Sequence, residues 1–243
     1  MLRLGIKYPG AFSNYSYILW DEVQDSGPIE FDLITKIINP YSLFIVGDPR
    51  QSLYSFKGGD PSLMINLSKK EDITTYYMNN NYRCGYNILN YAKRIIEPTG
   101  LSDNSYCASN QKGAVYELPF SYNTILQILN SFEELSNTAI LTRTNKEIDD
   151  MILFLRKNKI PCVTFKQKDM NLKDIKDTLN SNKIKVLTVH SAKGMSFDNV
   201  ITLGLKFYNK EERNICYVAA TRAKHSLYWM KPPRKYKKSK YDW

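Results

Sequence analysis

The chain has 243 residues, 43% hydrophobic and 13% aromatic, with a formal charge of +10. That composition excludes a disordered polymer and leaves room for one large domain or two smaller ones. Four scattered cysteines (Cys84, Cys107, Cys162, Cys216) without a CxxC exclude a disulfide scaffold and a cysteine zinc site, and no apolar run is long enough for a membrane span.

In chain order, 15-YSYILWDE-22 is a short, mostly apolar run ending in acids, which predicts a buried strand with function at its carboxyl end. Ile29, Leu33, Ile34, Ile37 and Ile38 recur at helical spacing and predict a helix over 28–39; 41-YSLFIVGD-48 then repeats the strand-then-acid pattern. A third strand is predicted at 73–78 (ITTYYM) and a helix at 86–97. Residues 98–113 are polar and turn-rich and read as a linker. Beyond it, strands are predicted at 114–118, 138–144, 161–165, 184–190, 199–204 and 226–230, with helices at 121–134, 146–158, 172–180 and 211–223.

Strands alternating with helices predict an α/β fold whose parallel sheets carry helices on both faces. The expected division is a first domain at 1–97, a linker at 98–113, a second domain at 114–230 and a basic tail at 231–243. The tail has six Lys or Arg against one Asp, half the net charge. It reads either as a solubilising end or as an electrostatic foothold on nucleic acid. A soluble protein of a reducing, intracellular compartment is expected, with no signal peptide and no membrane partner.

The chemistry begins with Asp21 and Glu22. Neighbouring carboxylates at a strand end suit a nucleoside triphosphatase, in which one helps hold Mg²⁺ and the other orients the attacking water. In 47-GDPRQSLYSFKGGDP-61, Gln51 offers a neutral donor and acceptor to a phosphate, and Phe56 beside Lys57 pairs a stacking face with a cation, as a single-stranded base and its backbone require.

Six blocks then follow one another: DEVQD (21–25), VGDPRQSLYSFKG (46–58), NYRCG (81–85), LTRTN (141–145), TVHSAKGMSFDNV (188–200) and YVAATRAK (217–224). In this order they resemble the UvrD/Rep/PcrA-type superfamily 1 DNA helicases, over about residues 15–230. The resemblance implies a RecA-like P-loop NTPase helicase core using ATP and Mg²⁺. It implies Asp21 as the Mg²⁺-associated acid, Glu22 as the water-activating base, and Gln51 as the link between γ-phosphate and DNA. Tyr82 would stack on adenine, and Arg83 and Arg222 would reach the γ-phosphate, Arg222 from the second domain. Gly194 would join the nucleotide contacts, while Phe56, Lys57, Thr188 and His190 would meet DNA.

The pattern also breaks. The 243 residues contain no GxxxxGK[ST] and no Gly-Lys dipeptide, so the Walker A loop that grips β- and γ-phosphates is missing and the first domain is expected to be incomplete. A helicase split across two polypeptides, a truncated one, or a degenerate one would each explain this; the first two are favoured because the late blocks are intact. Ser196 stands where the family carries Glu, which implies remodelled ribose contacts. The short stretch between LTRTN and TVHSAKG implies a motor without the family's large accessory domain. The expectation is an ATP-dependent, 3′→5′ DNA helicase or translocase on single-stranded DNA or tailed duplex, needing a missing N-terminal segment or a separate chain that supplies Walker A. The alternative is a non-catalytic single-stranded-DNA-binding or regulatory remnant.

Overall fold

A computed structural model describes residues 16–37, 43–164 and 177–232. Strands β1 (Ile18–Trp20) and β2 (Leu43–Ile45) pair in parallel, Ile18 opposite Leu43, with helix α1 (Pro28–Ile37) between them in sequence. Parallel neighbours cannot be joined by a tight turn, and α1 belongs to the crossover they need. Helix α2 (Pro61–Leu67) follows, started by Asp60, whose carboxylate accepts from the Ser62 N–H. The acid- and glutamine-bearing blocks lie on neither helices nor strands. They form single 3₁₀ turns at Val23–Asp25, Pro49–Gln51 and Ser55–Lys57.

The strand expected at 73–78 is not formed. Residues 73–79 carry no ladder, and Tyr76, Tyr77 and Met78 are exposed. Pairing starts later, where β3 (Asn80–Asn81) meets β4 (Tyr106–Cys107) inside the segment read as linker. The β propensity of ITTYYM is real, but a strand exists only where a neighbour takes up its N–H and C=O groups.

Helix α3 (Tyr86–Ile96) buries Ile88, Leu89, Ala92, Ile95 and Ile96, a single helical face. That face packs on α6 (Lys210–Ala220) and on strands β5 (Ala114–Pro119) and β10 (Ala223–Lys231) of the large sheet, rather than on β1 and β2. Entry to α3 is tight: a Cβ on Gly85 would stand 2.6 Å from the Gly113 Cα, so only glycine fits.

The large sheet comprises β5 (Ala114–Pro119), β6 (Thr138–Thr142), β7 (Cys162–Val163), β8 (Ile184–Thr188), β9 (Phe197–Thr202) and β10 (Ala223–Lys231). Their order is β5-β10-β9-β6-β8-β7 and every pairing is parallel. Successive residues point to opposite faces. Ala139 and Leu141 join the layer of α3 and α6, whereas Ile140 joins that of α4 (Tyr122–Asn130) and α5 (Asn145–Lys157). Each fully buried Ile, Leu or Val contributes about 1.5–3 kcal/mol, so a sheet covered on both sides forms the rigid platform. This is the parallel α/β architecture of a RecA-like core.

Helix α4 is shorter than expected, ending at Asn130, where Ser131 caps it. Part of the helix expected at 172–180, the end of the strand expected at 161–165, and the tail from 233 lie outside the described residues. Among the described residues, no helix is long and apolar enough to cross a membrane.

One connection matters for everything below. Strands β8 and β9 are parallel, so residues 189–196 must run from the carboxyl end of one to the amino end of the other. They do so without a helix, across the side that meets the N-terminal unit.

Candidate functional site

Asp21 and Glu22 follow β1 directly. Glu22 has φ 55° and ψ 36°, the left-handed region that a residue with a Cβ enters only at a cost of about 1 kcal/mol or more. Asp21 helps hold it there, its Oδ1 accepting from the Glu22 N–H at 2.8 Å. The turn aims the Glu22 carboxylate at Gln24 Nε2 (2.5 Å) and Lys193 Nζ (2.8 Å). Burial alone would raise the Glu22 carboxyl, but the Lys193 ammonium, the Gln24 hydrogen bond and the Arg222 charge together hold it below its ordinary 4.5. It is therefore an anion at neutral pH. Lys193 also pairs with Asp25, whose other oxygen accepts from the Leu53 N–H at 3.1 Å.

Arg222 begins where α6 ends and β10 starts. It is 1% exposed. Nε donates to the Val218 carbonyl (3.1 Å), Nη1 to the Met195 carbonyl (3.0 Å), and Nη2 to Thr221 Oγ1 (3.2 Å) and Gln51 Oε1 (3.4 Å). None of these partners is an acid. Burial, and next the charge of nearby Arg83, lower the guanidinium from 12.5 to about 10. Arg83 itself is exposed and reaches the Thr221 carbonyl at 3.5 Å. Two guanidiniums thus act on one spot, an arrangement suited to phosphoryl oxygens.

Gln51 is fixed from the other side, its Nε2 donating to Asp48 Oδ2 at 2.9 Å. With the amino group so engaged, the carbonyl oxygen must face Arg222. Tyr82 stands apart from this cluster, 72% exposed, its hydroxyl accepting from Asn80 Nδ2. Gly194 adopts φ 82° in the 189–196 connection, where a side chain would meet strain rather than a neighbour.

A second cluster joins the two halves. Phe56 is 66% exposed, and its ring lies 5.9 Å from His190 and 6.0 Å from Tyr54, centroid to centroid. Lys57 Nζ sits 4.7 Å from the Tyr54 ring and 5.6 Å from Phe56. His190 Nε2 bonds the Leu53 carbonyl at 3.2 Å; a carbonyl only accepts, so Nε2 carries the proton. Burial first, then the Arg143 charge, lowers the imidazole below 6.5 and keeps it neutral at pH 7. Thr188 turns inward instead, its hydroxyl accepting from the Ser191 N–H and donating to Ser191 Oγ.

Lys193, Gln24 and Asp48 were not singled out by sequence, and Asp25 was legible only as a third carboxylate beside Asp21 and Glu22. Gln24 is buried, bonds Glu22, and accepts from the Asp48 N–H at 3.0 Å. Lys193 and the other three stand inside the quoted blocks, so their positions were visible, but which carboxylate Lys193 would meet was not.

The residues fit a magnesium nucleotide. Mg²⁺ takes hard oxygens, usually one or two carboxylates together with substrate phosphates and water. Asp21 and the ionised Glu22 supply the former, and no group of three or more His, Cys, Asp or Glu able to hold a metal exists among the described residues. The buried Arg222, with no acid among its hydrogen-bond partners, would supply the cation that phosphate oxygens need.

Residues 11–72 match the family model of the UvrD/REP helicase N-terminal domain, and residues 165–231 that of the UvrD-like helicase C-terminal domain. The ATP-dependent DNA helicase PcrA of Staphylococcus epidermidis is 29% identical over 185 residues, 69% of this chain and 25% of that protein. A "Probable DNA helicase II homolog" of Mycoplasma pneumoniae is 28% identical over 159 residues, 56% of this chain and 22% of its own. A "Probable DNA helicase" of the same organism is 26% identical over 236 residues, 87% of this chain and 42% of its own. The chain spans about a quarter of the length of the first two.

Proposed function

Because the chain belongs to the UvrD-like superfamily 1 helicases, we propose that it is an ATP-driven motor moving 3′→5′ on single-stranded DNA or tailed duplex. The observation that carries this is Arg222: a buried guanidinium with no acid among its hydrogen-bond partners, on the six-stranded unit, bonded to Gln51 of the N-terminal unit.

In this reading Glu22 would take the proton of an attacking water, Asp21 would help hold Mg²⁺, and Arg222 with Arg83 would balance charge on the phosphoryl oxygens. Bound Mg²⁺ would neutralise phosphate charge. Gln51 reports the phosphate's presence, since its amide is shared between the two units. Lys193 pairs with Glu22 and Asp25, so freeing the base requires Lys193 to move. The 189–196 connection carries both Lys193 and His190, which ties that movement to the Phe56–His190 cluster, where a base would stack. The glycine-rich phosphate loop would come from outside these 243 residues, in a longer chain or in a separate one. Localisation inside the cell is part of the same proposal.

One observation favours a rival, a DNA-binding protein that does not hydrolyse: the Glu22 carboxylate is already satisfied by Lys193 and Gln24. The test is ATP hydrolysis with and without single-stranded DNA, by the chain alone and with a polypeptide bearing GxxxxGK[ST], beside a Glu22→Gln control. DNA-stimulated turnover that disappears with Glu22→Gln supports the motor. Absence of turnover in every mixture, with DNA binding retained, supports the rival.

A further inference from the structure

Asp103 lies outside all six sequence blocks and outside both segments matched by the family models. Its side chain is nonetheless fully buried. Oδ2 accepts from the Tyr217 hydroxyl at 2.8 Å; Oδ1 accepts from the Ser105 N–H (2.9 Å) and hydroxyl (2.6 Å) and pairs with Arg50 Nη1. Arg50 in turn grips Asp48, Nε to Oδ1 at 2.7 Å and Nη2 to Oδ2 at 3.2 Å, and its own N–H donates to Oδ1 at 3.0 Å. Asp48 Oδ2 receives Gln51 Nε2, and Gln51 Oε1 receives Arg222. An unbroken polar chain therefore runs Tyr217–Asp103–Arg50–Asp48–Gln51–Arg222. It starts and ends on the α6–β10 segment and crosses the N-terminal unit between.

We infer that Asp103 is a positioning residue for the nucleotide reaction: through Arg50 and Asp48 it dictates which end of the Gln51 amide faces Arg222 and an incoming phosphate. This role rests on the reading of Gln51 given above. The chemistry is specific. Asp48 alone could accept from Gln51 in several geometries. Arg50 occupies both of its oxygens from one side and leaves one direction for Gln51 Nε2. Arg50 holds that pose because its Nη1 is anchored by Asp103, and Asp103 is anchored by Tyr217 and Ser105. Burial would raise the Asp103 carboxyl, but the Ser105 hydrogen bonds and the Arg50 charge keep it lowered, so the anchor is ionised at working pH. Removing its charge frees Arg50 to swing, and Asp48 and the Gln51 amide lose their fixed orientation.

The experiment reads the Gln51 side-chain NH₂ pair by ¹H–¹⁵N NMR, assigned with Gln51→Glu, together with steady-state ATPase kinetics of the active mixture. Asp103→Asn should move the Gln51 signals toward those of a free glutamine amide. It should also lower kcat roughly 10- to 100-fold with KM for ATP little changed. Asp103→Glu should restore part of both. Ser105→Ala removes the hydroxyl hydrogen bond from the same carboxylate without touching Arg50, keeps the backbone N–H donor, and should leave the Gln51 signals in place. A Gln51 pair unmoved by Asp103→Asn, or moved equally by Ser105→Ala, overturns the assignment. The NMR arm decides this even if no mixture hydrolyses ATP, an outcome that would sink the motor reading instead.

Discussion

Arg222 makes an unusual demand on stability, and Arg222→Met tests it. A guanidinium held at about 10 rather than 12.5 corresponds to about 3 kcal/mol of folding free energy forfeited by the charged form. The sign follows from the lowered value. The penalty is complete at any pH below about 10 and is relieved only between about 10 and 12.5, so it is constant from pH 6 to 8. Methionine removes the charge and keeps much of the volume. The Met195 carbonyl loses its Arg222 donor at a cost of about 1–2 kcal/mol, whereas the Val218 carbonyl keeps the Thr221 hydroxyl at 3.1 Å. The balance is a gain of about 1–2 kcal/mol, or roughly 3–6 °C in Tm for a chain of this size. Thermal unfolding by circular dichroism at pH 7.5 and low salt measures it. Tripolyphosphate should raise the wild-type Tm, because an anion relieves the crowded guanidiniums, and should do much less for the variant. A variant that melts below wild type would refute the reasoning by showing that its hydrogen bonds outweigh its desolvation. An equal tripolyphosphate response in both proteins would refute the anion site.

The remaining predictions concern neighbouring features. Lys193→Met removes the cation that keeps the Glu22 carboxyl low. Lowered carboxyls stabilise above their ordinary 4.5 and lose that contribution as pH falls through the folded value. The variant's deficit in unfolding free energy from urea titration should therefore be largest near pH 7, at most about 1 kcal/mol for the half-exposed Glu22, and shrink below pH 4.5; a deficit independent of pH counts against the pairing. Phe56→Ala should weaken binding of oligo-dT, followed by fluorescence anisotropy, by about 1–3 kcal/mol while leaving Tm unchanged, since the ring is mostly exposed. Gly204→Ala places a Cβ onto Glu147 Oε1 at a φ of +68° and so disturbs the Thr144–Glu147 capping box of α5. Denaturant unfolding should show a loss of about 1–3 kcal/mol.

Much of the fold could be read directly. Runs such as TAILT and IKVLT, bounded by turn residues, announced strands buried on both faces, and the helical spacing of Ile88, Leu89, Ala92 and Ile95 announced α3. Local pattern cannot say what an element will pack against. Residues 73–78 have strand composition and no ladder, because pairing is decided by a neighbour's free edge. Helix α3 could equally have covered the first sheet; the close approach of Gly85 to Gly113, and the fit of its apolar face to α6, put it on the second.

The site divides along the same line. Residue identity and spacing determined that Asp21, Glu22, Gln51, Phe56, Arg83, His190 and Arg222 would be present as acids, amides, rings and guanidiniums able to serve phosphate and bases. The tertiary structure alone decided the left-handed turn that aims Glu22, the approach of Lys193 across 171 positions, and the burial of Arg222 among neutral hydrogen-bond partners. Asp103 shows the limit most plainly. An aspartate in a polar, turn-rich stretch is indistinguishable by sequence from a solvated one, because desolvation and pairing arise only when distant segments close around it.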